Sequence, residues 1–180
     1  MRKVKNLIIC LCLVLAWPAI GHAGTLTATC EDVAKVYTSQ VGVRELTGRN
    51  DGVQVRAYLN ATGLSEGYAW CAAFVSWCFD QSGIDALHNA WAPAWFPAGK
   101  TIYTKGKHNA IVPRKADVFG VYHANLKRIG HVGFIDSWPP DGDYVITVEG
   151  NTNNAGSREG DGVYRKRRPK SNIYKVSRWL

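Results

Sequence analysis

Four residues of this chain have the types and the spacing for nucleophilic catalysis: Cys71, His131, Glu149 and Asn151. A cysteine attacks as its thiolate, so something must favour loss of the thiol proton near neutral pH. Cys71 opens the run Cys71-Ala72-Ala73-Phe74-Val75-Ser76-Trp77-Cys78-Phe79, in which Phe74, Val75, Cys78 and Phe79 recur at helical spacing. Gly83 supplies the left-handed residue that ends such a helix. Cys71 therefore falls in the first turn, where backbone N–H groups lack partners and the helix dipole is positive. A plainer reading competes: cysteine behaves as a small hydrophobe, and Cys71 would then be core packing.

The nucleophile also needs a base within hydrogen-bond reach, and the base needs an orienting partner. Of His88, His108, His123 and His131, only the last begins the strand-like stretch His131-Val132-Gly133-Phe134-Ile135-Asp136. Alternation puts His131, Gly133 and Ile135 on one face, and the bare Gly133 lets another element come close beside the imidazole. Glu149 ends the following strand, and Asn151 stands two residues on. From a neighbouring antiparallel strand, either side chain can accept from the far ring nitrogen and support an imidazolium. Taken alone, the same residues also fit a half-buried strand histidine and a strand that exits into a turn.

The elements that must position these groups follow from periodicity. Glu31 to Val41 reads as a helix with acids in its first turn, and Val53 to Leu59 as a second, shorter helix. The helix that begins at Cys71 is the third. The stretch 84–112 reads as irregular connection, and its Trp91, Trp95 and Phe96 form either a cover over the core or part of a substrate groove. Five strands follow: Asp117–His123, His131–Asp136, Tyr144–Glu149, Val163–Arg167 and Ile173–Trp179. Helices first and a mostly antiparallel sheet afterwards is an α+β layout.

At the N-terminus Arg2, Lys3 and Lys5 precede the apolar run Leu7–Ala16, then Pro18 and Gly21-His22-Ala23. This is the pattern of a secretory signal peptide, residues 1–23, and its apolar run is too short to span a bilayer. Residues 24–180 are then one domain's worth of chain. Loss of Arg2, Lys3 and Lys5 lowers the formal charge from +8 to +5. A basic exported protein suits an anionic polymer or surface, and export argues against nucleic acid. The run Arg165-Lys166-Arg167-Arg168 is a candidate site for such a polymer, although a solvated strand end is the plainer reading. No Cys-x-x-Cys pair or His-rich tract offers a metal site, and no cofactor is expected. The protein is expected to be an exported monomer, periplasmic or extracellular.

Trp70-Cys71-Ala72-Ala73-Phe74-Val75-Ser76-Trp77-Cys78, then Gly130-His131-Val132-Gly133-Phe134-Ile135, then Glu149-Gly150-Asn151 together resemble the CHAP family, the cysteine, histidine-dependent amidohydrolases/peptidases of the papain-like NlpC superfamily. The resemblance extends from about Val41 to Trp179. It implies a papain-like fold, with N-terminal helices packed on a mostly antiparallel sheet of about five strands. It implies cleavage of an amide bond in peptidoglycan, with Cys71 as nucleophile, His131 as base, Glu149 as orienting acid and Asn151 as a further polar partner. Ala116-Asp117 stands where many relatives have Gly-Asp. The backbone N–H of Cys71 is the natural first oxyanion donor, and Asn50, Asn60 and Tyr68 are candidates for the second.

The sugar–peptide amide, a stem-peptide bond and a cross-link all fit this chemistry. Two other readings keep the residues but change the outcome: an acyltransferase that uses the same triad, and a wall-binding module with an inactive site. If Cys71 stays reduced to act, export leaves Cys30 and Cys78 as the one productive disulfide. The alternative for Cys78 is a packed core thiol.

Overall fold

The computed structural model describes residues 28–154 and 160–180. Residues 1–23, read from the sequence as a signal peptide, lie outside them. Three helices come first: α1 Cys30–Ser39, α2 Val53–Asn60 and α3 Cys71–Gln81. The strands are β1 Thr101–Thr104, β2 Val118–His123, β3 Arg128–Ser137, β4 Tyr144–Thr152, β5 Gly162–Pro169 and β6 Lys175–Ser177. They form one sheet in the order β1-β6-β2-β3-β4-β5, with every neighbouring pair antiparallel. The fold is α+β, as the periodicity predicts.

The sheet has six strands where the sequence predicts five. The additional one is β1, inside the stretch read as irregular. Its four residues pair with β6 at one edge of the sheet. Too short to show alternation, it has no periodic signal of its own. The aromatic residues before it divide by burial. Trp95 and Phe96 are buried, with Trp95 stacked on Phe79 at 5.8 Å, while Trp91 is 57% exposed.

Helix α1 is closed at its N-terminus by a capping box, in which Asp32 N–H donates to Thr29 Oγ1 and Thr29 N–H donates to Asp32 Oδ2. Helix α3 is buried around almost its whole circumference, including Ala72, Ala73 and Ser76 opposite its large apolar residues. A helix this apolar must be covered on all sides. Helices α1 and α2 cover one side and the sheet covers the other, through Phe134, Val132 and Val148. Phe134 sits at the centre, in ring contact with Tyr37 of α1 and with Phe74 and Phe79 of α3. Gly83 (φ +70°) ends α3, with Gly83 N–H on Asp80 O and Ile84 N–H on Phe79 O. This is a Schellman closure.

Cys30, Cys71 and Cys78 are free thiols, so of the two readings the sequence leaves open, the Cys30–Cys78 bridge is not formed and Cys78 is a packed core thiol. The two residues have different surroundings. Cys78 is fully buried in α3 within the core, whereas Cys30 is only half-buried at the start of α1. Burial pushes the Cys78 thiol well above its ordinary pKa, as befits an inert core residue.

Candidate active site

Cys71 is the first residue of α3, and Trp70 before it provides no side-chain cap. The free N–H groups of this turn are thus available to a thiolate or an oxyanion. Two glycines bring the turn to the sheet. Gly150 of β4 faces α3, where a β-carbon would stand 2.7 Å from both Trp70 and Phe74. Gly133 of β3 faces the opposite way, where a β-carbon would stand 2.8 Å from Val148 O and 3.1 Å from Glu149 Cγ. One glycine admits helix α3, which begins at Cys71, and the other admits the Glu149 side chain.

The register completes the arrangement. The β3–β4 ladder includes Phe134↔Val148 and Ile135↔Thr147, which puts His131, Gly133, Thr147 and Glu149 on one face. His131 Nε2–H donates to Glu149 Oε2 at 2.8 Å. The other ring nitrogen, Nδ1, is left for Cys71, whose side chain is hydrogen-bonded to His131. The backbone N–H groups of Val132 and Ala72 also favour the thiolate form of Cys71.

Glu149 is completely buried, and an isolated buried carboxylate is costly. Here it is saturated. Thr147 Oγ1–H donates to Oε1 at 2.5 Å, Arg168 Nε–H to Oε1 at 2.9 Å, and Arg168 Nη2–H to Oε2 at 2.5 Å. Burial raises the Glu149 pKa, but His131 and Arg168 outweigh it and hold the group well below the carboxylate range. Burial likewise lowers the His131 pKa, but the bonds to Cys71 and Glu149 reverse it and lift the imidazole to about 9. Burial raises the Cys71 thiol, and the His131 contact outweighs it, so the net shift is downward. Each shift thereby runs toward the charged form of its group, the direction in which a thiolate–imidazolium pair lies.

Cys71 and His131 open onto a cavity of about 270 Å³ that Asn151, Arg128, Lys166 and Arg168 also line. Asn151 has φ +53° at the end of β4 and borders the cavity, but the far ring nitrogen of His131 belongs to Glu149. Of the other histidines, His123 borders this cavity, while His88 and His108 are outside it. A second cavity begins at Ala69 and is bordered by Tyr68 and Trp91, both largely exposed. Tyr68 is the one of the three oxyanion candidates that borders either cavity; Asn50 and Asn60 do not.

Thr147 and Arg168 are site residues that the sequence reading missed. Thr147 was within reach, because it lies two residues before Glu149 and strand alternation puts both on one face. Arg168 was assigned instead to a basic run. The structure splits that run by alternation. Lys166 and Arg168 turn to the cavity, while Arg165 pairs with Asp136 and Arg167 lies 3.7 Å over the Tyr144 ring. The run is therefore not one continuous cationic face. Among the described residues, no group of three or more His, Cys, Asp or Glu side chains is placed to hold a metal ion. None of their helices is long and apolar enough to cross a membrane.

The family model described as CHAP domain matches residues 63–151. The match covers α3 through the Glu149-Gly150-Asn151 segment and is narrower than the Val41–Trp179 span of the resemblance. No curated protein and no solved structure matches the chain.

Proposed function

The chain is a CHAP-domain protein, with the domain at residues 63–151, and on that premise we propose that it is an exported cysteine hydrolase that cleaves an amide bond in peptidoglycan. One observation carries the reading: Cys71 at the open N-terminus of α3 borders the same cavity as His131 and interacts with it, and the His131 ring is hydrogen-bonded to the buried Glu149. The Cys71 thiolate attacks the amide carbonyl carbon, and the carbonyl electrons move onto oxygen. The Cys71 N–H and its neighbours in the first turn stabilise that oxyanion. On collapse the C–N bond breaks, His131 gives its proton to the leaving amine, and a thioester remains. His131, now neutral, takes a proton from water, which attacks the thioester and regenerates the Cys71 thiolate. Glu149 stays ionised throughout, holding the ring with Nδ1 toward the sulfur and offsetting the imidazolium charge. Asn151 acts as a polar partner at the cavity wall. Export is supported by the basic and apolar residues that precede Ala23.

The test is digestion of purified peptidoglycan by residues 24–180, with mass spectrometry of the released muropeptides. New amine and carboxyl termini at one amide position are expected, and their positions tell the sugar–peptide bond, a stem-peptide bond and a cross-link apart. Release by a folded Cys71→Ala variant would refute the mechanism.

A further inference from the structure

We propose that Lys166 and Arg128 form a carboxylate-binding subsite in the cavity beside Cys71, so that the strand of substrate lying there is a peptide bearing a free carboxylate. The proposal deepens the hydrolase reading and rests on Cys71 as the nucleophile.

The argument starts from the charges of the cavity wall. Arg128, Lys166 and Arg168 all border it. Glu149, the acid bound to Arg168, is already saturated by Arg168, Thr147 and His131. Cys71 and His131 add no net charge, whether as thiol and imidazole or as thiolate and imidazolium. Among the described residues the wall is thus left cationic through Arg128 and Lys166. Outside the cavity Arg56 pairs with Glu66, Lys115 with Glu31, Arg165 with Asp136 and Arg178 with Asp117. Other surface cations such as Lys100 and Lys175 stand without a salt bridge, so what sets Arg128 and Lys166 apart is their place on the wall of the cavity that holds Cys71. Among the described residues no carboxylate forms a salt bridge with Arg128 or Lys166.

Lys166 is also fixed in place. Its Nζ donates to Thr152 Oγ1 at 3.1 Å and to Asn153 O at 2.6 Å. An ammonium has three donors, so neutral oxygens hold the charge in position without neutralising it. Burial pulls the Lys166 pKa down, chiefly by removing water from the charged form. A bound anion would return that stabilisation. Arg128 Nη1–H donates to Ile129 O at 3.0 Å, and its remaining N–H groups are enough for a charge-assisted bond to a carboxylate. Lys166 and Arg168 both lie beyond the matched segment 63–151, on a strand the family match does not reach.

Two arms test this. In the first, Cys71 is alkylated with iodoacetate and, separately, with iodoacetamide, which share a reactive carbon and differ in charge. The ratio of the two rates should fall about fivefold or more in the Lys166→Met/Arg128→Gln variant, as for loss of a well-placed charge pair. Lys166→Arg should retain the ratio, and an unchanged iodoacetamide rate reports an intact nucleophile. A ratio unaltered by the double substitution would overturn the subsite. The second arm compares native peptidoglycan with material whose stem-peptide carboxylates have been amidated. The wild type should cut the amidated wall about fivefold more slowly, a difference the double variant loses. Equal cutting of both walls by the wild type sinks the subsite and leaves the hydrolase standing. No cutting of either wall, with the alkylation ratio falling as expected, sinks the hydrolase and leaves the subsite.

Discussion

Arg168, Glu149, His131 and Cys71 form a series of alternating charge, each member stabilising the ionised form of the next. Removing the middle member should do more than remove one bond. Glu149→Gln is expected to lower turnover by about 10²–10⁴-fold, because the imidazolium loses its counter-charge and the ring its orientation. Asn151→Ala should slow it by less, since Asn151 is not the group on Nε2. The pH dependence follows from the directions of the shifts. His131 is raised from 6.5 to about 9, so its stabilisation is complete below 6.5 and lost as pH rises through about 9. Glu149 is depressed from 4.5, so its stabilisation is present above 4.5 and lost as pH falls through its folded-state pKa. The charged series is therefore most stable between those limits. The kcat/KM profile should fall on the alkaline side near pH 9, as the imidazolium deprotonates. In Glu149→Gln that limb should move toward neutral pH, and a limb that stays in place would argue against the pairing. Arg168→Met leaves a buried carboxylate without its cation and should cost about 3–5 kcal/mol in urea denaturation.

The meeting of α3 with β3 and β4 depends on two missing side chains. At Gly150 a β-carbon would be driven against Trp70 and Phe74, both fully buried and unable to retreat. Gly150→Ala should therefore cost about 1–3 kcal/mol and displace the start of α3, and Cys71 with it. At Gly133 the obstacle is the Val148 carbonyl and the base of the Glu149 side chain. Gly133→Ala should reduce turnover by a larger factor than Gly150→Ala at matched stability, because it moves the acid relative to His131. Denaturation midpoints together with kcat separate the two cases. Thr29→Ala, at the far end of α1, removes one half of a capping box and should cost about 1 kcal/mol with no change in kcat.

Across the molecule, the C-terminus is tied to the start of β2 by Arg178, which donates to both oxygens of the buried Asp117 at 2.9 and 2.8 Å. The residue before it, Ala116, has φ +66°, which explains why a glycine is favoured at this position in the resemblance. A non-glycine residue in that region costs about 1–2 kcal/mol. Against this stand the lost burial of the Ala116 methyl, about 0.8 kcal/mol, and the added unfolded-state entropy of glycine, about 0.4–1 kcal/mol. The effects nearly cancel, so Ala116→Gly should lie within about 1 kcal/mol of neutral. A thermal melt checks this, and a large shift in either direction would contradict the φ-based account. Thiol titration of denatured, unreduced residues 24–180 should find Cys30, Cys71 and Cys78 all free.

The helical period of Phe74, Val75, Cys78 and Phe79 determined α3, and the position of Cys71 at its start followed from that. The alternation around His131 determined its face and the purpose of Gly133. These are local properties, carried by residues a few positions apart. Strand β1 was hidden because four residues at a sheet edge are held by their partner strand and not by their own pattern. Arg168 was hidden because its contact with Glu149 depends on the β4–β5 register and on the side to which alternation turns β5. In the sequence it is one charge in a basic run. The cysteines are a third case. Their number suggested a bridge, but the packing of α1 and α2 around α3 decided which neighbours each thiol meets. Residue type and local period limit which chemistry is available; strand register and helix packing decide which distant groups share it, because those contacts form only when the chain closes on itself.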